Sequence, residues 1–358
     1  MTEPAMTEPA MAADSIRARR QLPRLADPGA PLLEVRDLKT WFKLERGWVK
    51  AVDGVSFNLA DGEALGLAGE SGCGKTTTAL SLVRLLPDNG RIRGGSVNLY
   101  GIDLVKKSER ALLRYRWREI SIVFQGAMNA LNPVVRVRDQ IAEPIRIRLG
   151  QTQAASMARA VELLDLVGIP SKRAGAYPHE LSGGMRQRAM IAMALACDPA
   201  IVIGDEPTTA LDAMVQAQIL QLLEQLRADL GLSLILITHD LSVIAETCDR
   251  VLIMYAGKVA EEGPVSRVFT VPRHPYTQKL LGAFPNIRAD RRTLEVIPGE
   301  PPNLLAPPPG CRFAPRCAFA MPVCSEVEPP QATMDDGVRV ACHLFPPASA
   351  APGAPDAP

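Results

Sequence analysis

The segment Gly69-Glu70-Ser71-Gly72-Cys73-Gly74-Lys75-Thr76 satisfies the phosphate-binding pattern G-x-x-x-x-G-K-[ST] at every fixed position. It follows an apolar run, Ala64 to Ala68, and precedes a helix-compatible run, Thr77 to Leu86, which is the strand-loop-helix setting that the chemistry needs. Glycines let successive backbone N–H groups and the following helix N-terminus turn toward one anion, so the segment suits a triphosphate. Lys75 is placed to neutralise the β- and γ-phosphates and Thr76 to offer a hydroxyl to Mg²⁺, with Thr77 opening the helix. The loop alone does not say which nucleotide hydrolase carries it.

The 358 residues suffice for two ordinary domains, and 47% hydrophobic content can fill their cores. Forty basic residues against thirty-nine acidic ones leave a net charge of +1, so no basic field points to nucleic acid. The richest apolar run, Leu232 to Ile237, is strand-sized, far short of the ~18 residues of a spanning helix. The start repeats Met-Thr-Glu-Pro-Ala and lacks the basic and apolar regions of a signal peptide. These features are expected of a soluble cytoplasmic chain that meets a membrane only through a partner.

Residues 1–30 show neither helical nor strand periodicity and are expected to be mobile. Leu33 to Leu38 and Val52 to Leu59 alternate like antiparallel strands, joined by a long turn, Lys39 to Lys50, that holds Trp41, Phe42 and Trp48. Those aromatics read first as packing residues, with a stacking platform for a planar ligand as the alternative. Ser96 to Tyr100 and Ile120 to Phe124 read as strands, and the charged stretch Lys107 to Arg118 as helix. Gln125 to Pro133 is a loop, and Gln140 to Gly168 shows helical periodicity in two segments divided at Gly150. A mostly helical insertion is expected there.

Leu181-Ser182-Gly183-Gly184-Met185-Arg186-Gln187-Arg188 opens a further helix with an N-cap serine and an anion-seeking terminus. Ile201 to Glu206 is a buried strand ending in two carboxylates, where Asp205 can hold Mg²⁺ while Glu206 orients or deprotonates a water. Leu234-Ile235-Leu236-Ile237-Thr238-His239-Asp240 reads as another buried strand ending in a histidine, and His239 at the C-terminal end of a parallel strand can reach a γ-phosphate. Arg250 to Tyr255 and Lys258 to Glu261 form a hairpin around Ala256-Gly257.

Taken in order, the phosphate loop, Gln125, the Ser182-Gly183-Gly184 segment with Gln187, Asp205-Glu206, Ala210-Leu211-Asp212 and His239 resemble an ABC-transporter ATPase subunit over residues 32–265. The resemblance implies an α/β fold: a mostly parallel sheet of the ABC P-loop type plus an antiparallel β-layer, with a helical subdomain over about 126–196. It implies that Gln125 senses Mg²⁺ and the membrane partner, that Asp212 lies in the D-loop, that His239 is the switch histidine and that Phe42 stacks on adenine, with Trp41 and Trp48 as rivals. It also implies that two ATPase chains pack head to tail, each offering its Ser182–Gly184 segment to the other's ATP.

Tyr177-Pro178-His179-Glu180-Leu181, His274-Pro275-Tyr276-Thr277, Pro298 to Leu304 and Gly310 to Cys317 resemble the oligopeptide, dipeptide and nickel importers of that family. The implied function is ATP hydrolysis that powers peptide uptake at the cytoplasmic face of the inner membrane, nickel or another small solute being the alternative. The implied partners are a sister ATPase, two permease subunits and an extracytoplasmic peptide-binding protein, with no nucleic acid. A soluble ABC ATPase acting on nucleic acid or ribosomes would need a coiled-coil or basic insertion, which the sequence lacks. The chain departs from the family at Gly126-Ala127, where Asp-Pro is usual, and at Gly204, where Ala is usual.

Of seven cysteines, Cys311, Cys317, Cys324 and Cys342 fall within a Pro-rich extension over 266–345 that promises few strands and little core of its own, before a final tail over 346–358. Four thiolates suit a 4Fe-4S cluster or Zn²⁺. Their spacing lacks the close C-x₂-C pairs usual for zinc, and the resemblance points to iron-sulfur; zinc and free thiols remain the alternatives. A role in structure or in pairing is expected, because nothing in the sequence brings this group near the nucleotide loop.

Overall fold

The computed structural model describes residues 31–124, 126, 130–209, 211–283 and 297–347. The expected N-terminal tail, the C-terminal tail beyond residue 347, Gln125, Ala127 and Ala210 lie outside the described residues. Along the chain run β1 (Leu33–Leu44), β2 (Gly47–Leu59), β3 (Ala64–Ala68), α1 (Lys75–Leu82), β4 (Gly90–Leu99), β5 (Ile102–Asp103), α2 (Glu109–Leu112), β6 (Ile120–Val123), α3 (Val137–Leu149) and α4 (Gln153–Leu166). There follow α5 (Gly183–Ala194), β7 (Ile201–Asp205), α6 (Ala213–Leu230), β8 (Ser233–Ile237), α7 (Leu241–Thr247), β9 (Arg250–Tyr255), β10 (Lys258–Pro264), α8 (Val265–Val268), α9 (Pro275–Gly282), α10 (Pro322–Glu326), β11 (Gln331–Thr333) and β12 (Arg339–Ala341).

Two compact units share these elements. One takes in Asn58–Ala64 and Asn98–Thr238. In it β6, β7 and β8 are parallel, with Ile120 opposite Ile201 and Ile201 opposite Ser233. Strands β7 and β8 are buried along their whole length, which is why they read as unbroken apolar runs rather than alternating ones. The helical stretch divides where expected: Gly150, at φ 67°, ends α3 in the left-handed conformation, and Thr152 then caps α4 by accepting from Ala155 N–H. The charged stretch from Lys107 to Arg118 is mostly not helical; only Glu109–Leu112 forms a helix, and the indole N–H of Trp117 instead donates to the Met193 carbonyl at 3.0 Å.

The other unit comprises Val35–Phe57, Leu65–Val97 and the described residues from His239 onward. Here β3 pairs in parallel with β9, and β9 forms the expected hairpin with β10. The first two strands are longer than their alternation suggested. They run through the aromatics and turn at Glu45-Arg46 alone, so Trp41, Phe42 and Trp48 lie on strands and not in a long turn. The extension, too, has more structure than its proline content foretold. Strand β12 pairs antiparallel with β10, β11 pairs with β12, and Val338, Val340 and Phe313 are buried. Its core is therefore shared with β10 and is not its own.

Candidate functional site

Fully buried β3 delivers the chain into Gly69, whose φ is 145°; a Cβ there would lie 2.1 Å from the Met254 carbonyl oxygen. At Gly74, with φ 107°, a Cβ would lie 2.4 Å from the carbonyl oxygen of Ala51. No side chain fits either position, so the two glycines are required by the close approach of other backbone segments. Gly74 precedes α1 with no side-chain cap, and a helix N-terminus of this kind favours an anion. Lys75 is 7% exposed and its Nζ donates to the carbonyls of Gly69 at 2.7 Å and Glu70 at 3.0 Å, folded back into its own loop. Ser71, Gly72 and Thr76 face solvent, Thr77 is half-buried, and Cys73 is a buried thiol whose pKa burial pushes up. His239, in the same unit, is exposed.

In the first unit Asp205 ends β7 at 1% exposure, and Glu206 follows in a left-handed conformation, φ 49°. Such backbone costs a non-glycine residue about 1 kcal/mol or more and persists only where its surroundings enforce it. Here Glu206 N–H donates to the Ile237 carbonyl at 2.8 Å, and Thr209 Oγ1 donates to Glu206 Oε2 at 2.9 Å. Asp205 is thus buried while Glu206, one residue on, is half-buried. Gly204 tightens this corner: a Cβ there would stand 3.2 Å from Pro207 Cγ and 3.3 Å from Leu236 Cδ1.

Ser182 caps α5, its hydroxyl accepting from Met185 N–H at 3.3 Å, and its position is exposed. Gly183 begins the helix, and Gly184 has a second role that its sequence does not disclose: a Cβ there would lie 2.6 Å from Val215 Cγ1 on α6. Gln187 is 4% exposed and its amide nitrogen has no hydrogen-bond partner among the described residues. Asp212 caps α6 by accepting from Val215 N–H at 2.9 Å.

Among the three aromatics, the Lys50 amine lies 5.2 Å over Trp41 and the Arg93 guanidinium 5.0 Å over Trp48. Both indoles thus have a face covered by a cation. Phe42 has no such cation among the described residues, and its ring edge packs where a side chain at Gly90 would stand.

Residues 52–209 match the ABC transporter family model, and residues 260–324 match the model of the oligopeptide/dipeptide transporter C-terminal region. A putative peptide import ATP-binding protein of Brucella melitensis is 50% identical over 302 residues, 84% of this chain and 91% of that protein. The chain belongs to the ABC transporter ATPases. A probable peptide ABC transporter ATP-binding protein of Sinorhizobium fredii is 48% identical over 315 residues, 87% of this ABC transporter chain and 94% of its own. Two solved dimeric structures of one ABC cassette, one bound to ADP and Pi, are 28% identical to it and match 65% of this chain and 98% of that one at a TM-score of 0.59.

In this ABC transporter ATPase the four late cysteines are unpaired thiols. Burial raises the pKa of Cys311, Cys317 and Cys342, that of Cys342 to about 11, and neighbouring thiolates in the group raise each further. Among the described residues no three His, Cys, Asp or Glu side chains are gathered closely enough to hold a metal ion. The expected cluster therefore has no assembled cage among the described residues. Two of the sulfurs accept from backbone N–H groups, Cys317 from Phe319 at 3.4 Å and Cys324 from Met321 at 3.5 Å. The expected distance between this group and the nucleotide loop is also corrected. Arg316, next to Cys317, donates to both carboxylate oxygens of Glu70 inside the loop.

Proposed function

We propose that this ABC transporter ATPase powers the import of oligopeptides or dipeptides. The observation that carries the reading is the pairing, in one chain, of an intact phosphate loop with a C-terminal region that matches the oligopeptide/dipeptide transporters. The names of its relatives in Brucella and Sinorhizobium support the same substrate class.

In this reading Lys75 leaves the Gly69 and Glu70 carbonyls to meet the β- and γ-phosphates, and the uncapped N-terminus of α1 receives the same charge. Thr76, Asp205 and Gln125 are the residues of this chain that would hold Mg²⁺, which when bound would supply neutralisation of developing phosphate charge. Glu206 orients the attacking water, His239 attends the γ-phosphate and Phe42 stacks on adenine. Ser182, Gly183, Gly184 and Gln187 serve the nucleotide of a second ATPase, and Asp212 borders that interface; the dimeric state of the matching cassette supports such pairing. Closure of the pair drives two permeases, to which a peptide-binding protein delivers the solute. No helix among the described residues is long and apolar enough to cross a membrane, which supports peripheral attachment through those permeases.

For the four cysteines the reading is a 4Fe-4S cluster, with Zn²⁺ as the alternative. It is supported by the mutual electrostatic influence of the thiols and by backbone N–H donors at their sulfurs, which favour anionic sulfur. Anaerobic purification with iron, sulfide and zinc analysis tests it, and a folded, metal-free protein would end both metal readings.

The transport reading is tested by reconstituting the chain with its permeases and binding protein in vesicles and following uptake of labelled dipeptides, oligopeptides and Ni²⁺. ATP-dependent peptide uptake that is lost in Lys75→Ala is expected; uptake of Ni²⁺ alone, or recovery of the protein only with nucleic acid, would overturn it.

A further inference from the structure

Glu70 presents a problem of charge. It puts a carboxylate inside a loop built to receive a triphosphate, where an unpaired negative charge would repel the ligand. The extension supplies the answer from 246 residues away. Arg316 Nη1 lies 2.7 Å from Glu70 Oε2 and its Nη2 3.0 Å from Glu70 Oε1, a two-pronged pairing of the strongest kind.

Arg316 is itself held on all sides. Its side chain is 6% exposed, its Nε donates to the Pro298 carbonyl at 2.8 Å, its Nη1 reaches the Tyr255 hydroxyl at 3.1 Å, and its guanidinium lies 5.7 Å from the Tyr255 ring centre. The Glu70 backbone is fixed from the same side, its N–H donating to the Tyr276 hydroxyl at 2.8 Å. Tyr276 is placed by the His274-Pro275-Tyr276-Thr277 segment. Buried Glu261 accepts from the N–H groups of Arg273 and His274, and His274 Nδ1 in turn caps α9 by accepting from Tyr276 N–H.

One turn earlier Arg312 pairs with Asp53 and donates to the Ala256 carbonyl, beside Gly257, whose N–H donates to the Cys73 carbonyl in the loop. Phe313, 2% exposed, packs between Tyr255 and Tyr276, which fixes the register in which both arginines reach inward. Pro301, Pro302 and Leu304 close a cavity of about 140 Å³ whose other wall is Glu70 to Cys73.

We propose that Arg316 is a positioning residue for nucleotide binding: by neutralising and orienting Glu70 it makes the phosphate loop competent for a triphosphate, so that the C-terminal extension sets the ATP affinity of this chain. The assignment rests on the reading of Gly69–Thr76 as the ATP loop. Arg316 does not touch the nucleotide; it acts through the Glu70 carboxylate. Removing Arg316 therefore leaves a negative charge facing the phosphates, and removing both charges cancels the defect. A role confined to holding the fold would show no such cancellation, because the double change would disturb the extension at least as much as the single one.

The test is ATP and ADP binding by titration calorimetry, with steady-state hydrolysis, on the full chain and on Arg316→Ala, Arg316→Lys, Glu70→Gln and the Arg316→Ala/Glu70→Gln pair, each checked for its melting temperature. Arg316→Ala is expected to weaken ATP binding roughly tenfold, and ADP binding less, since repulsion grows with phosphate charge. KM for ATP should rise with it while kcat changes little. The double variant should return to within about threefold of the wild-type affinity, and Arg316→Lys should lie between. Arg316→Ala at wild-type affinity, or a double variant as weak as the single one, would overturn the proposal. A wild-type chain that binds no ATP would instead overturn the reading of the loop, and this assignment with it.

Discussion

The hydroxyl of Tyr276 accepts the backbone N–H of Glu70 at 2.8 Å, so one amide at the entrance of the phosphate loop is committed to α9 and not to a ligand. Tyr276 is wholly buried, and the bond joins residues 206 positions apart. Tyr276→Phe keeps the ring packing and orphans that N–H, which costs about 1–3 kcal/mol in a buried setting. A melting temperature lower by several degrees, with faster hydrogen exchange at Glu70, is expected. An unchanged melt would show that water replaces the hydroxyl.

Glu206→Gln preserves the shape of a residue held at φ 49° by its bonds to Ile237 and Thr209 and removes only the charge. ATP hydrolysis is expected to fall by about three orders of magnitude or more while ATP is still bound, and the ATP-loaded chain should accumulate as a dimer on size exclusion. Hydrolysis near the wild-type rate would remove Glu206 from the water-activating role.

Gly184→Ala places a methyl 2.6 Å from Val215 Cγ1, so the Val215 side chain or the helix that carries it must shift. Overpacking of this kind costs about 1–3 kcal/mol. Stability should drop and recover at least partly when Val215→Ala is added, as read by denaturant titration. If stability is unaffected but ATP-driven dimerisation fails, the glycine serves the partner's nucleotide and not the packing of its own helices.

His274 is buried, and desolvation lowers its pKa to about 4, below the usual imidazole value. The folded state therefore prefers the neutral ring, and this contribution is fully present above about pH 6.5 and is lost as pH falls through 6.5 toward 4, amounting to about 3 kcal/mol across that window. His274→Asn keeps an acceptor for Tyr276 N–H and removes the titration. The difference in unfolding free energy between wild type and variant should shift in the variant's favour on acidification from pH 7 to 4. A difference independent of pH would mean that His274 charges freely in the folded protein.

The elements legible in the sequence were those written in short-range pattern. The phosphate loop, the buried runs at Ile201 and Leu234 with their polar ends, and the glycine stop at Gly150 each declare themselves within about ten residues, because backbone geometry and burial act locally there. The Lys107 to Arg118 stretch misled because charge density mimics a solvated helix, whereas Trp117, at φ 71°, leaves helical geometry and sends its indole to Met193. Gly184 looked like an anion-binding glycine, and only the packing of α6 shows what its missing Cβ avoids. The link from Arg316 to Glu70 was hidden by distance along the chain. Its one trace was chemical: an acid in an anion-binding loop asks for a cation, but the sequence does not say which.

The antiparallel pairing of β12 with β10, Glu261 opposite Val340, carries a consequence for biosynthesis. Nascent chains fold from the N-terminus, domain by domain, as they are made. The strand, helices and glycines of the phosphate loop are all synthesised before residue 85, yet the cation that answers Glu70 arrives at residue 316 and the strand that seats the extension at residue 339. A chain cut short before residue 316 holds every residue of the nucleotide loop and lacks the cation that answers Glu70, so loss of the extension is felt at the very site where ATP is to be held.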